Sequence, residues 1–365
     1  MISNTPRTWV FWASAVLCLA GPALTQPPAP VPAGPPQPVI APPPAAPPTP
    51  VALPSVPIHS EPTLPCDPLP NVETCEQSFG YFVEGDFLYV KPRRRLQDFA
   101  IVDPFNDGTV AGPIKSLDWD WRSAFRIGGG LRLSCGLEAA FYYTYLHDAT
   151  HGSATAPDGG VLFATLTHPG TVDQVATAFA DTSFNYNVFD FELARSFKPA
   201  EAFGLRLFVG SRSTRIDQNF NAVYDGITAN RDFVTTRVNF NGTGARIGGE
   251  GTWHPGYGLG LYGRAAASLV LGDFKTRLAE INNAGATVLV NVTDCFDKVV
   301  PVLELGFGIT YETHGCRLTL GYEYTNWFGL ADLPDFGDDV HQGKLVRRIS
   351  DLSIDGLVVR AEWRY

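Results

Sequence analysis

Positive charge is missing from the opening of this sequence: between Arg7 and Lys91 there is no lysine or arginine. From Pro27 to Pro70 the same stretch is rich in Pro and Ala. Such a segment buries too little apolar surface to offset its ordering entropy, and proline favours extended polyproline II backbone. Residues 26–75 are therefore expected to be a disordered, semi-rigid spacer. A tether to cell wall is the sharper alternative, although no ligand motif stands out. Long hydrophobic runs are equally scarce. "WVFWASAVLCLA" (Trp9 to Ala20) follows Arg7 and is followed by small residues through Ala23. At about 12 residues it is too short to span a bilayer, so residues 1–25 read as a cleaved secretory signal. No other window approaches the roughly 18 apolar residues of a membrane helix. A transmembrane helix is thus excluded from the mature chain, leaving a periplasmic, extracellular or outer-membrane barrel protein.

Cysteine is sparse as well. Cys18 falls in the signal, where the bulky Leu17 argues against a lipoprotein site. The remainder are Cys66, Cys75, Cys135, Cys295 and Cys316. An odd number leaves at least one without a partner in the chain. Cys66 and Cys75, close together in an exported segment, are the expected disulfide. No CxxC occurs, and no zinc site is read. Catalytic motifs are thin. "GTGARIGGEG" has the spacing GxGxxxG inside a strand pattern, so its glycines relieve crowding in a curved wall rather than cradle a dinucleotide. His147, His151 and His168 read as loop residues with no GxSxG nearby. "DLPDFGDD" (Asp332 to Asp339) lacks an EF-hand spacing and reads as a solvated acidic loop. No enzyme, metal, cofactor or nucleic-acid partner is expected.

What the chain does contain is alternation. In "DWDWRSAFRIGGGLRL" (Asp118 to Leu133) one register is aromatic and aliphatic, and the other carries Asp118, Asp120, Arg122, Arg126 and Arg132. A soluble sheet would bury the first face; a membrane barrel would turn it to lipid. The same period recurs in ten candidate strands from "FGYFVEGDFLYVK" (Phe79 to Lys91) to "GLVVRAEWRY" (Gly356 to Tyr365). Each is long enough for the roughly 9–11 residues of a tilted membrane strand.

The connections decide between the two. They alternate long and short: about 27 residues, then "SCG", then some 35 residues, then "KPAEAFG", with long links again from Ile216 and from Lys275 through Asp297. Short turns on one rim and long loops on the other are the habit of outer-membrane barrels and make the strand number even. The expectation is an all-β fold, a transmembrane antiparallel up-and-down barrel of about 10–12 strands over residues 76–365. The upper figure arises if "VLFATLT" and "VATAFA" in the 35-residue link form another hairpin. Both chain ends then lie on the periplasmic side.

That reading assigns the faces. Tyr89, Trp119, Trp121, Tyr143 and Tyr145 near loop ends, with Trp363 and Tyr365 at the close, are expected in the aromatic girdle. The lumen register carries Glu84, Asp86, Asp118, Asp120, Arg122, Arg126, Arg132, Glu138, Asp190, Glu192, Arg206, Arg246, Glu250, Arg264, Glu304, Arg317, Glu323, Arg360, Glu362 and Arg364. Mixed signs either cross-link the strands of a filled barrel or line a wet path; a ten-strand barrel is narrow in any case. Outer-membrane lipid is the expected partner, with the insertion machinery reading the last strand and cell wall meeting the Pro-rich segment.

"GDFLYVKPR", "DWDWRSAFRIGGG", "NGTGARIGGEGTW" followed by "GLGLYGRAAASLVLG", "LTLGYEYTNWF" and "DGLVVRAEWRY" together resemble the Legionella-type pore-forming outer-membrane protein family and the related barrels of planctomycetes. The resemblance covers Phe79 to Tyr365. It implies an outer-membrane β-barrel that forms a pore, with no catalytic residues to carry over. Two functions stay open: a porin-like diffusion pore for small hydrophilic solutes, which is preferred, and a structural or surface-interaction barrel closed by ion pairs. A continuous lumen wider than a hydrated ion would favour the first.

Overall fold

In the computed structural model the described residues are 79–365, without 96, 134, 135, 169 and 337–344, and side chains are described outside 331–345. The signal, the Pro-rich segment, Cys66, Cys75 and Cys135 lie outside the described residues; Cys316 is a free thiol. Among the described residues fourteen strands follow one another: β1 (Gly80–Arg94), β2 (Asp98–Asp103), β3 (Ile114–Ser116), β4 (Arg122–Arg132), β5 (Leu137–Thr155), β6 (Val161–Ala164) and β7 (Gln174–Val175). The second half holds β8 (Thr177–Ala200), β9 (Phe203–Gly226), β10 (Ala229–Gly256), β11 (Leu259–Asn282), β12 (Thr287–Thr313), β13 (Cys316–Phe336) and β14 (Leu345–Arg364).

Ten of them, β1, β4, β5 and β8 to β14, close a barrel in which β1 pairs with β14. Every pair is antiparallel, so the connectivity is up-and-down. The Val161–Ala164 and Gln174–Val175 segments do not enlarge the ring. They join β2 and β3 in a separate four-stranded sheet, order β3-β2-β6-β7, and the barrel stops at ten.

The outward face is apolar over a limited height. On β1 it runs Tyr81, Val83, Phe87, Tyr89, all exposed. Eight residues of strand rise about 27 Å, or about 20 Å vertically at a tilt of about 40°, close to the roughly 25 Å band of such barrels. Several strands are far longer than a membrane needs: β10 has 28 residues and β12 has 27. The chain after Ile216 and from Lys275 to Asp297, expected as long loops, is strand instead. Turns of a few residues join these extensions.

The extensions resemble loops in sequence because their pattern inverts. Low on β9, Leu205, Leu207 and Val209 face out while Arg206, Phe208 and Arg212 face in; above Thr214, Arg215, Asp217 and Asn219 face out while Ile216, Phe220 and Tyr224 are buried inside. The same exchange occurs on β11, where outward Leu269 and Leu271 give way to Asp273, Lys275 and Arg277, and inward Phe274 and Leu278 take over the core. The lower half is built for lipid, the upper half for water.

One aromatic belongs elsewhere than expected. The strand beginning at Asp118 in the sequence pattern begins at Arg122 in the fold, so parity does not extend back to Trp119. Trp119 is only 4% exposed and meets Phe184 edge-on at 6.2 Å, inside the mouth. Asp118 and Asp120 correspondingly face solvent, not the lumen. Trp121, 40% exposed, stacks on Tyr89 at 5.4 Å on the outside. Tyr143 and Tyr145 are half-buried on the same rim, Tyr143 donating to Asn187 Oδ1 at 2.8 Å. At the other rim Trp363 and Tyr365 are exposed, Tyr365 stacking on Tyr81 at 4.8 Å.

Candidate functional site

The lumen of this barrel is the place where sequence-remote side chains converge, and it is layered. At the short-turn end a polar vestibule of about 640 Å³ opens between the wall strands, lined among others by Arg132, Glu138, Arg206, Glu250, Arg317 and Glu362. Above it lies a belt of ion pairs. Between the belt and the side chains above it lies a space of about 50 Å³, room for a few waters at about 10–15 Å³ each.

Two clusters make up the belt. In the first, Arg126 bonds Asp86 Oδ2 at 3.0 Å and Glu323 Oε2 at 2.8 Å. Arg360 bonds Asp86 Oδ1 at 3.1 Å and Glu323 Oε1 at 3.1 Å and forms an ion pair, without a hydrogen bond, with Glu84 Oε1 3.2 Å away. In the second, Arg212 grips both oxygens of Asp190 at 2.7 Å and also meets Glu304. Glu192 gathers three arginines: Arg206 at 3.0 Å, Arg264 at 3.3 Å and Arg246, which also reaches Glu304. The three guanidinium groups stand 5.1 to 5.5 Å from the ring of Phe208, an aromatic floor that strengthens their hold.

Lower down, Arg206 bonds Glu138 at 2.6 Å, Arg132 bonds Glu362 at 2.9 Å and Arg364 bonds Glu362 at 2.7 Å. Arg317 bonds Glu312 at 2.5 Å and lies 3.6 Å from Glu250. Of the charges expected in the lumen, Arg122 stands apart with Asp148 at 2.6 Å, half-exposed at the mouth. Asp148 and Phe208 are additions to the expected lumen residues, whereas Glu312 lies on the polar face that strand parity shares with Glu304. Phe208 is inward on a strand whose inward neighbours are Arg206 and Arg212, so parity alone held the signal for it.

These pairs do more than tie neighbouring strands. Arg212 of β9 reaches Glu304 of β12, and Arg126 of β4 reaches Glu323 of β13, each three positions away around the ring. Arg360 of β14 lies 3.8 Å from Glu250 of β10, four positions away in a ring of ten. Such contacts are chords across the lumen. Carboxylates and guanidinium groups this deeply buried are tolerable only when paired and hydrogen-bonded.

Above the belt the wall itself fills the centre. Leu88, Ala124, Leu146, Val188, Ile216, Phe240, Val270, Val300, Trp327 and Val358, one from each barrel strand, belong to a single apolar cluster. Higher still, Phe99, Ala100, Leu162, Val172 and Val175 from the four-stranded sheet and its connections pack with Phe220, Tyr224, Val234, Leu278 and Val290 of the wall. Tyr224 Oη donates to Phe99 O at 2.7 Å, fixing that sheet to the barrel. Among the described residues no group of three or more His, Cys, Asp or Glu side chains is arranged to hold a metal.

A family model described as the Legionella pneumophila major outer membrane protein precursor matches residues 73–365. The chain belongs to that family. The outer membrane is accordingly its location, and the barrel its membrane-spanning part. No curated protein matches. Among solved structures, the outer-membrane protease OmpT of Escherichia coli is similar at 14% identity, covering 79% of this chain and 98% of that one, with a TM-score of 0.43. A FadL homologue of Pseudomonas aeruginosa is 9% identical over 80% of this chain and 90% of that one, TM-score 0.22. A mutant of the monoaromatic hydrocarbon channel TodX is 9% identical over 77% and 67%, TM-score 0.33. The family match extends over the whole described barrel.

Proposed function

We propose that this family member is a closed outer-membrane scaffold, non-catalytic, which presents its long extracellular strand extensions to partners. The observation that supports this reading is the apolar cluster to which all ten strands contribute, directly above an ion-pair belt with about 50 Å³ of space between. A continuous wet path would mark a pore, and the apolar side chains that the ten strands direct inward above the belt support the closed barrel instead. The last strand, with Trp363 and Tyr365 outward, is proposed as the contact for the insertion machinery.

The test is single-channel conductance of the mature chain, Gln26 to Tyr365, refolded and inserted in a planar bilayer. Silence from inserted protein is expected. Stable stepwise openings whose ion preference changes with Arg126→Glu would overturn the scaffold reading in favour of passive diffusion of small hydrophilic solutes. One feature favours that second reading: the charged vestibule of about 640 Å³ at the short-turn end, which a barrel serving only as an anchor does not require.

A further inference from the structure

Two carboxyl groups sit where the extracellular half of the barrel is driest. Asp232 of β10 and Glu280 of β11 are diagonal neighbours on the inner face, Glu280 lying opposite Val234, and both side chains are 0% exposed. They stand well above the outward apolar band, among Val172, Val175, Val234, Leu278 and Val290. Glu280 Oε2 accepts the backbone N–H of His168 at 2.6 Å. His168 belongs to the connection from β6 to β7, and its Nδ1 lies 2.9 Å from Thr171 Oγ1. Glu280 Oε1 and both Asp232 oxygens meet no donor.

The groups packed around the pair do not neutralise it. From β9 comes Tyr224, whose hydroxyl is committed to Phe99 O. From β12 comes Val290, and from the end of β11 Asn282, whose Oδ1 is taken by the backbone N–H groups of Asn230 and Asn283. Among the described residues no lysine or arginine pairs with either carboxyl. Two bare carboxylates in an apolar core would be very costly, whereas a pair sharing a proton meets the missing donor from within. Burial, then the neighbouring Asp232, push Glu280 up to about 8; burial pushes Asp232 up to about 6.

We propose that Asp232 and Glu280 form a pH-sensitive latch on the extracellular sheet: the protonated pair holds the His168 turn against the barrel wall, and loss of its proton to solvent releases that turn. β7 stays attached, because the N–H and hydroxyl of Thr228 both donate to Gln174 O, at 3.0 and 2.7 Å. The sign follows from linkage. Groups whose values are raised in the closed state stabilise it at low pH, and that contribution is lost as pH rises through the raised values. The turn is therefore shut near pH 6 and released above about pH 8.

Val172, 2% exposed in this turn, reports the state. The full mature chain carries Val172→Cys, or Thr109→Cys in an exposed loop as reference, with the five remaining native cysteines changed to serine. Labelling by a membrane-impermeant maleimide is followed from about pH 6 to about pH 9, and the ratio of the two rates removes the thiol's own titration. In the native pair the ratio is expected to climb about a hundredfold, the linked loss of one proton over the two units from about pH 6 to the raised value near 8. Glu280→Gln, which keeps the acceptor for His168, is expected to hold it flat. Asp232→Asn, an independent change, moves the rise to lower pH by removing the charge beside Glu280. A flat ratio in the native protein, or a rise unchanged by both substitutions, overturns the latch.

Discussion

Glu192 is the best place to ask whether the belt is dry. It is 0% exposed and answers Arg206, Arg246 and Arg264. In Glu192→Gln, Arg206 keeps Glu138 at 2.6 Å and Arg246 keeps Glu304, but Arg264, its side chain 12% exposed, loses its ion pair at 3.3 Å and remains a largely buried cation. Breaking a buried network by removing one partner costs about 3–5 kcal/mol. With a guanidinium dependence of about 4 kcal/mol per molar, the midpoint of unfolding falls by about 1 M. The assay is unfolding of vesicle-inserted protein, followed by tryptophan fluorescence and by the gel mobility of the folded barrel. Adding Arg264→Met removes the stranded charge, and about 1–3 kcal/mol should return as a coupling energy. A single-variant loss under about 1 kcal/mol, the worth of a solvated pair, would refute the reasoning: water would reach Glu192 and the belt would be no barrier.

Two other substitutions probe the wall. Trp119→Ala removes a buried ring packed on Phe184 and should cost about 3–5 kcal/mol, whereas Trp121→Ala on the outside should cost less than half as much in the same unfolding assay. Equal losses would return Trp119 to the girdle. At Gly210 an added Cβ would lie 1.8 Å from Phe191 O of the adjacent strand, so Gly210→Ala should lower the folded fraction by forcing β8 and β9 apart. At Gly263, where a Cβ would meet nothing within 4 Å, alanine should be neutral; similar refolding yields for both would argue against close strand approach at Gly210.

The lower barrel was legible because lipid and lumen impose a strict period of two, so residues from Glu84 to Arg364 could be placed on a face by parity. Parity has two blind spots. It assumes that a strand starts where the pattern starts, which fails at Trp119, where irregular backbone before Arg122 lets the ring turn inward. It also assumes a constant environment along the strand. After Ile216 the solvent outside becomes water, polar residues move outward, and the alternation persists with its faces exchanged. Read for lipid, that stretch looks like a loop, and the buried Asp232 and Glu280 in the extensions went unseen with it. Pairing partners were illegible for another reason: chords such as Arg212–Glu304 link β9 to β12, and the strands between them leave no trace of the distance in sequence.

The exchange of faces has a consequence for assembly. Once closed, the upper half presents Arg215, Asp217, Asn219, Asn239, Asp273, Lys275 and Arg277 on the outer face of β9, β10 and β11. Each Arg or Lys costs about 2–4 kcal/mol at the bilayer midplane and each Asp less, so a finished barrel pushed through from the periplasm would drag on the order of 10 kcal/mol across the hydrocarbon for these side chains alone. The chain must therefore deliver its extracellular ends before the ring closes, hairpin by hairpin, with outer and inner walls acquiring their final solvents together. The same collar then acts as a stop: it fixes how deep the barrel floats, and a membrane of different thickness must adapt to the protein.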